Sequence, residues 1–161
     1  MRRLILVLPL SLLVMAPTAV RAADGDLVVC DAPPAGTTVL NPGTTTTIEV
    51  DSPATPDESV FLLFQLDLYP AKATNKASVN ASLNWQIQVN DYDMYLTDPD
   101  GNELASENFQ ALGDPPTESA GGSFLHCSMF SIEVYNFLAA GGPQVDMVDP
   151  LQLTIATGAV K

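Results

Sequence analysis

Trp85–Glu107 reads WQIQVNDYDMYLTDPDGNELASE, and its pattern decides the fold class. The alternation begins upstream. From Val79 to Val89 the odd positions are Val79, Ala81, Leu83, Trp85, Ile87 and Val89, all apolar, and the even positions are Asn80, Ser82, Asn84, Gln86 and Gln88. A period of two describes a strand with one dry and one wet face. The parity then slips: the next apolar positions are Tyr92, Met94 and Leu96. A slip of one residue turns the wrong face inward unless the chain bulges or bends, so a corner is expected at Asn90-Asp91. Asp98-Pro99-Asp100-Gly101 carries the residues of a type I turn, with Gly101 placed for the left-handed bulge that follows it. Tyr92–Thr97 and Asn102–Ser106 should therefore pair as a hairpin.

Working outward, the same period recurs and helical periodicity is nearly absent. Short strands are predicted at Asp26–Cys30 and Thr44–Val50. In Val60–Leu68 the even positions are apolar, and Phe61 and Leu63 make its first half apolar on both faces, as in a central strand. Phe130, Ile132 and Val134 alternate with polar residues, as do Leu151, Leu153 and Ile155. Gly113–Gly122 and Ala139–Asp149 read as loops. About eight strands without crossover helices imply an all-β chain: a single antiparallel β-sandwich, jelly-roll-like. Its expected core holds Leu62, Phe64, Leu83, Trp85, Ile87, Met94, Leu96, Ile132 and Leu153.

The first 22 residues read as a signal peptide. Arg2 and Arg3 precede an apolar Leu4–Ala16, and Val20-Arg21-Ala22 suits cleavage after Ala22. The apolar run is too short for a stable span. This leaves one domain at 23–161, long enough to bury its own core, expected to be secreted, periplasmic or extracellular and not inserted in the membrane. The whole chain carries a formal charge of −13; without the leader, Lys72, Lys76 and Lys161 face 19 acidic residues, which leaves −16. Such a surface disfavours nucleic acid and anionic membrane and attracts divalent cations.

Cys30 and Cys127 are the two cysteines, and an even count in an exported chain predicts one disulfide. His126 is the lone histidine and is expected to be structural. Its adjacency to Cys127 on a strand would point the two side chains apart. No G-x-S-x-G elbow accompanies it, and one histidine cannot build a histidine-rich zinc site. No catalytic residue is assigned. Asp91, Asp93, Asp98 and Asp100 are the candidate metal ligands, because clustered aspartates supply the oxygens that calcium needs. The glycine an EF-hand loop requires is absent, and Asp98 and Asp100 also have a role in the turn. Calcium is thus the one candidate cofactor. Asn80-Ala81-Ser82 matches a glycosylation acceptor on the wet face. Tyr95, Tyr135 and Phe137 fall on the parity opposite the core and are candidates for surface binding.

Ser82–Ser106, with Phe130-Ser131-Ile132-Glu133-Val134 and Leu151–Thr157, resembles the bacterial pre-peptidase C-terminal domain family. In that family a Trp-containing strand leads into an aspartate-rich strand and a D-x-D-G-N turn; here these are Trp85, Asp91-Tyr92-Asp93-Met94-Tyr95-Leu96 and Asp98-Pro99-Asp100-Gly101-Asn102. The resemblance spans roughly residues 44–157; a looser one is to the P-domain of proprotein convertases. It implies a jelly-roll-like sandwich that accompanies a secreted protease, is removed or used for substrate binding, and in some members binds calcium or collagen. This chain contains no protease. The expected function is a secreted, non-catalytic module that binds extracellular protein or polysaccharide. A structural or solubilising envelope protein, and a hydrolase working through a carboxylate pair, are the alternatives.

Overall fold

The computed structural model describes residues 25–53, 57–86, 90–98, 100–107, 116–137 and 150–161. The expected signal peptide at 1–22, Ile87, Pro99 and the loop at 139–149 lie outside the described residues. The described residues form eleven strands: β1 (Leu27–Val28), β2 (Thr38–Leu40), β3 (Thr45–Val50), β4 (Ser59–Leu66), β5 (Ala71–Lys72), β6 (Lys76–Asn84), β7 (Tyr92–Thr97), β8 (Glu103–Glu107), β9 (Thr117–Leu125), β10 (Met129–Asn136) and β11 (Leu151–Thr157). They form a five-stranded sheet in the order β2-β4-β10-β7-β8, a four-stranded sheet in the order β3-β11-β6-β9, and a small ribbon of β1 with β5. The chain is all-β, and the two larger sheets enclose one core.

Alternation decides what lies between the sheets. Leu83 and Ala81 of β6, Leu153 and Ile155 of β11, Met94 and Leu96 of β7, and Ile132 and Val134 of β10 are all buried. Phe130 lies in the middle, stacked with Phe64 at 5.4 Å and with Phe124 at 4.6 Å between ring centroids. Aromatic packing of this kind adds to the free energy of burial itself. Leu62 is only partly buried and packs on the edge of this core.

Across the parity slip the chain passes from the four-stranded sheet to the five-stranded one. β6 ends at Asn84, earlier than the alternation implied, and the Trp85 amide makes one further in-register bond, to the Pro116 carbonyl just ahead of β9 at 3.1 Å. The indole Nε1–H of Trp85 donates to the Asn90 carbonyl at 2.9 Å, and its ring meets Tyr92 edge-on at 5.4 Å. Both rings stay in the core although they sit on opposite parities. The following turn is as expected: the Gly101 amide donates to the Asp98 carbonyl at 3.0 Å, Gly101 has φ +81°, and the register of β7 with β8 shifts between Leu96 and Thr97.

Four expectations are corrected. The sandwich is not wholly antiparallel: β2 runs parallel to β4, since the chain crosses from β2 to the other sheet within a few residues. There Thr157 donates its hydroxyl to the Asn41 carbonyl and accepts the Thr44 amide at 3.0 Å, pinning the crossing. The expected loop at 113–122 is strand from Thr117 onward, paired with β6 along its length. Its glycines and serines hide the alternation of Glu118, Ala120 and Phe124. The strand count rises from about eight because β2, β5 and β9 are short or small-residue strands. Finally, Phe61 and Leu63 are not buried: they are 63% and 43% exposed, on the outer face of the five-stranded sheet.

Candidate functional site

The four candidate metal ligands separate into two groups. Asp98 serves the β7–β8 turn. Its carboxylate accepts the backbone amides of Asp100 and Asn102, each at 2.9 Å, and the Asn102 side-chain amide at 2.9 Å. These bonds, that from the Asn102 side chain foremost, stabilise the ionised carboxylate and hold its pKa below the usual carboxylate range. Asp100 is exposed at the tip.

Asp91 and Asp93 instead meet Glu118, a residue the sequence reading did not single out. One oxygen from each of the three carboxylates lies within 4.8 Å of the others. β7 belongs to one sheet and β9 to the other, so the cluster sits in the seam between them. Asp93 and Glu118 are buried at 6% and 2% exposure. Glu118 Oε2 accepts the Met94 amide at 2.8 Å, and Asp93 Oδ2 accepts the Tyr95 hydroxyl at 3.1 Å. Asp91 Oδ1 is buried with no hydrogen-bond partner. Burial raises the pKa of Asp91, and the neighbouring Asp93 charge raises it further. Burial likewise raises that of Asp93, against the lowering effect of the Tyr95 hydroxyl. Away from the trio, His126 Nδ1 lies 3.9 Å from Asp67 Oδ1. The donor set is oxygen only, which suits a hard divalent cation such as calcium and not zinc. Glu118 had one legible signal: it shares parity with the buried Ala120 and Phe124, so it is a charge on the dry face of its strand.

Cys30 and Cys127 form a disulfide, with Cα atoms 5.2 Å apart. It fastens the segment behind β1 to the turn between β9 and β10. His126 lies in that turn rather than on a strand, and it is buried. Its Nδ1 accepts the Leu68 amide at 3.1 Å, and Nε2 lies 2.8 Å from the Val28 carbonyl. A neutral ring with its proton on Nε2 satisfies both groups. Nδ1 also lies 3.5 Å from Cys30 Sγ, but sulfurs joined to each other are not thiolate ligands or nucleophiles. The role of His126 is to order the chain around the bridge. A disulfide is a bond of oxidising compartments.

The three candidate surface aromatics share the outer face of the five-stranded sheet. Tyr135 donates its hydroxyl to Asp57 Oδ1 at 2.6 Å, a bond that raises the phenol pKa. Its ring lies 6.4 Å from that of Phe137, which is 48% exposed. Tyr95 is half-buried and turned toward Asp93. Phe61 and Leu63, read from the sequence as buried on both faces, extend this apolar surface. Cross-strand pairing sets Glu133 between Phe61 and Tyr95.

No family model matches the chain, and no curated protein matches it. Among solved structures, the chain is similar to the pre-peptidase C-terminal domain of a collagenase from Bacillus anthracis, at 13% identity and a TM-score of 0.40, over 81% of this chain and 100% of that one. At that level the two share no more than a distant likeness of fold.

Proposed function

We propose that the chain is an exported, non-catalytic binding module that meets an extracellular protein through the outer face of its five-stranded sheet. The observation that carries this reading is the exposure of Phe61, at 63%, within a sheet face that also presents Leu63, Tyr135 and Phe137. A purely solubilising protein gains nothing from large apolar side chains in water, whereas contiguous apolar surface rimmed by polar groups marks interaction sites. Glu133 and Asp57 beside the rings favour a partner that offers apolar side chains next to basic ones. The leader-like residues 1–22 and the disulfide support export. The Asp91–Asp93–Glu118 seam takes a calcium ion in this reading, locking β7 to β9 rather than performing chemistry.

The test is photo-crosslinking. A photoreactive residue at position 61 should capture a defined extracellular protein, and Tyr135→Ser with Phe137→Ser should abolish the capture. The same probe at Thr47, on the opposite face, should not give that product. Equal labelling from both positions would remove the reading.

A further inference from the structure

The outer face of the four-stranded sheet is built differently from the aromatic one. Cross-strand register aligns its outward side chains in rows. One row is Thr47–Thr154–Ser82–Ser119, a hydroxyl on each of the four strands. The row beside it is Glu49–Gln152–Asn84–Thr117, with amides at its centre. Strands lie about 4.8 Å apart and successive outward residues about 6.8 Å apart along a strand, so the hydroxyls and amides form a regular grid. Thr47 Oγ1 and Thr154 Oγ1 are 3.5 Å apart, within reach of each other along their row. On the far side Asn80 opposes Gly121. A Cβ on that glycine would lie 2.6 Å from Asn80 Oδ1, so the asparagine folds down over it and the face stays flat.

Two further observations point to a ligand class. In a chain of net charge −13, these two rows hold one charged residue, Glu49. A face with one carboxylate and many hydroxyls and amides offers hydrogen bonds with little net charge, which complements a neutral polyol better than a basic or an acidic polymer. The amide row also runs into a cavity of about 240 Å³ lined by Glu49, Asn84, Gln86 and Gln152, with Trp85 at its wall. That volume is just below the roughly 300 Å³ at which pockets for drug-sized ligands begin. It suits a smaller unit, and its lining offers amide and carboxylate groups to hydroxyls.

We infer that this face binds a neutral polysaccharide, with one sugar unit seated in the Glu49–Asn84–Gln152 cavity and its neighbours hydrogen-bonded to the Thr154 and Ser82 row. The site lies on the sheet opposite the proposed protein-binding face, so the two can be lost independently. A polymer bearing carboxylates would meet Glu49 and the acidic surround, and is excluded.

Affinity electrophoresis of the protein in native gels tests this, with soluble β-glucan, galactomannan or dextran as neutral probes and alginate as the anionic one. Expected are retardation by at least one neutral polymer and none by alginate. Gln152→Ala should weaken the retardation by about fivefold or more, Thr154→Glu with Ser82→Glu should abolish it, and Phe61→Ser should leave it unchanged. Melting curves check that each variant folds; should the double variant not fold, Gln152→Ala and Asn84→Ala decide. Absence of retardation by all three neutral polymers, retention of full affinity in the cavity variants, or loss on Phe61→Ser would overturn the inference. Because Phe61→Ser disables only the opposite face, failure here and failure of the protein-binding reading are separate results.

Discussion

Glu118 on β9 accepts the backbone amide of Met94 on β7 at 2.8 Å, so one carboxylate joins the edge strand of one sheet to an inner strand of the other. The Met94 amide is deep in the protein, and its residue is fully buried. Glu118→Ala removes the acceptor without supplying another. A buried donor left unmade costs about 1–3 kcal/mol, and urea unfolding should show a loss in that range with an unchanged slope. A loss below about 0.5 kcal/mol would mean that water reaches the seam and replaces the bond.

The same seam gives a pH and calcium prediction. The folded-state pKa values of Asp91 and Asp93 are raised, chiefly by burial. For an acid shifted in that direction the folded state holds its proton longer than the unfolded one. Stability therefore falls as pH rises from the ordinary carboxylate value of about 3.9 through the raised value, and the deficit persists at neutrality. Asp93→Asn cannot ionise and also relieves Asp91. Without divalent cation it should melt above the parent at pH 7, and the difference should shrink toward pH 4. Millimolar calcium should reverse the order. At a concentration about 100-fold above Kd it adds roughly 2.7 kcal/mol to the parent, a rise on the order of 5–15 °C, and leaves the variant unmoved. A parent that ignores calcium would leave the trio as a proton site only.

The sandwich was legible because the alternation of Val79–Leu83, Tyr92–Leu96 and Phe130–Val134 matches the period of a strand with one buried face. The Asp98 turn was legible because its bonds are local. What escaped the reading depends on long-range pairing. Glu118 reaches Asp91 and Asp93 only because β9 packs against β7, and Ser, Gly and Ala give β9 little apolar contrast. Phe61 and Leu63 mark the opposite failure. Their hydrophobicity suggested a covered strand, while among the described residues their face is left open. The hydroxyl grid is likewise invisible until register places Thr47, Thr154, Ser82 and Ser119 side by side.

The disulfide between Cys30 and Cys127 spans 97 residues, and among the described residues the strand just ahead of it, β1, pairs with the two-residue β5 alone. Loop-closure entropy for a span of that size sets a ceiling of about 4–5 kcal/mol, a model-dependent figure. Replacing both cysteines by alanine should cost roughly 2–5 kcal/mol, read as a lower urea midpoint. Amide exchange should quicken first at Val28 and Leu68, where His126 is held. An unchanged midpoint would show that the His126 bonds alone secure the N-terminal segment.

Phe130 and Phe61 occupy neighbouring strands of one sheet but opposite faces. Phe130 is 1% exposed and stacked between Phe64 and Phe124; Phe61 is 63% exposed. Phe130→Ala removes a ring from the centre of the core and leaves a cavity, for which about 3–5 kcal/mol is the expected loss. Phe61→Ala removes a ring already in water and should stay within about 0.5 kcal/mol of the parent. The pair therefore separates stability from function. Chemical denaturation should place the two variants several kcal/mol apart, and partner capture should fail for the stable one. A loss above about 2 kcal/mol for Phe61→Ala would mean that its ring is covered in the folded protein, and the face it marks would no longer be open to a partner.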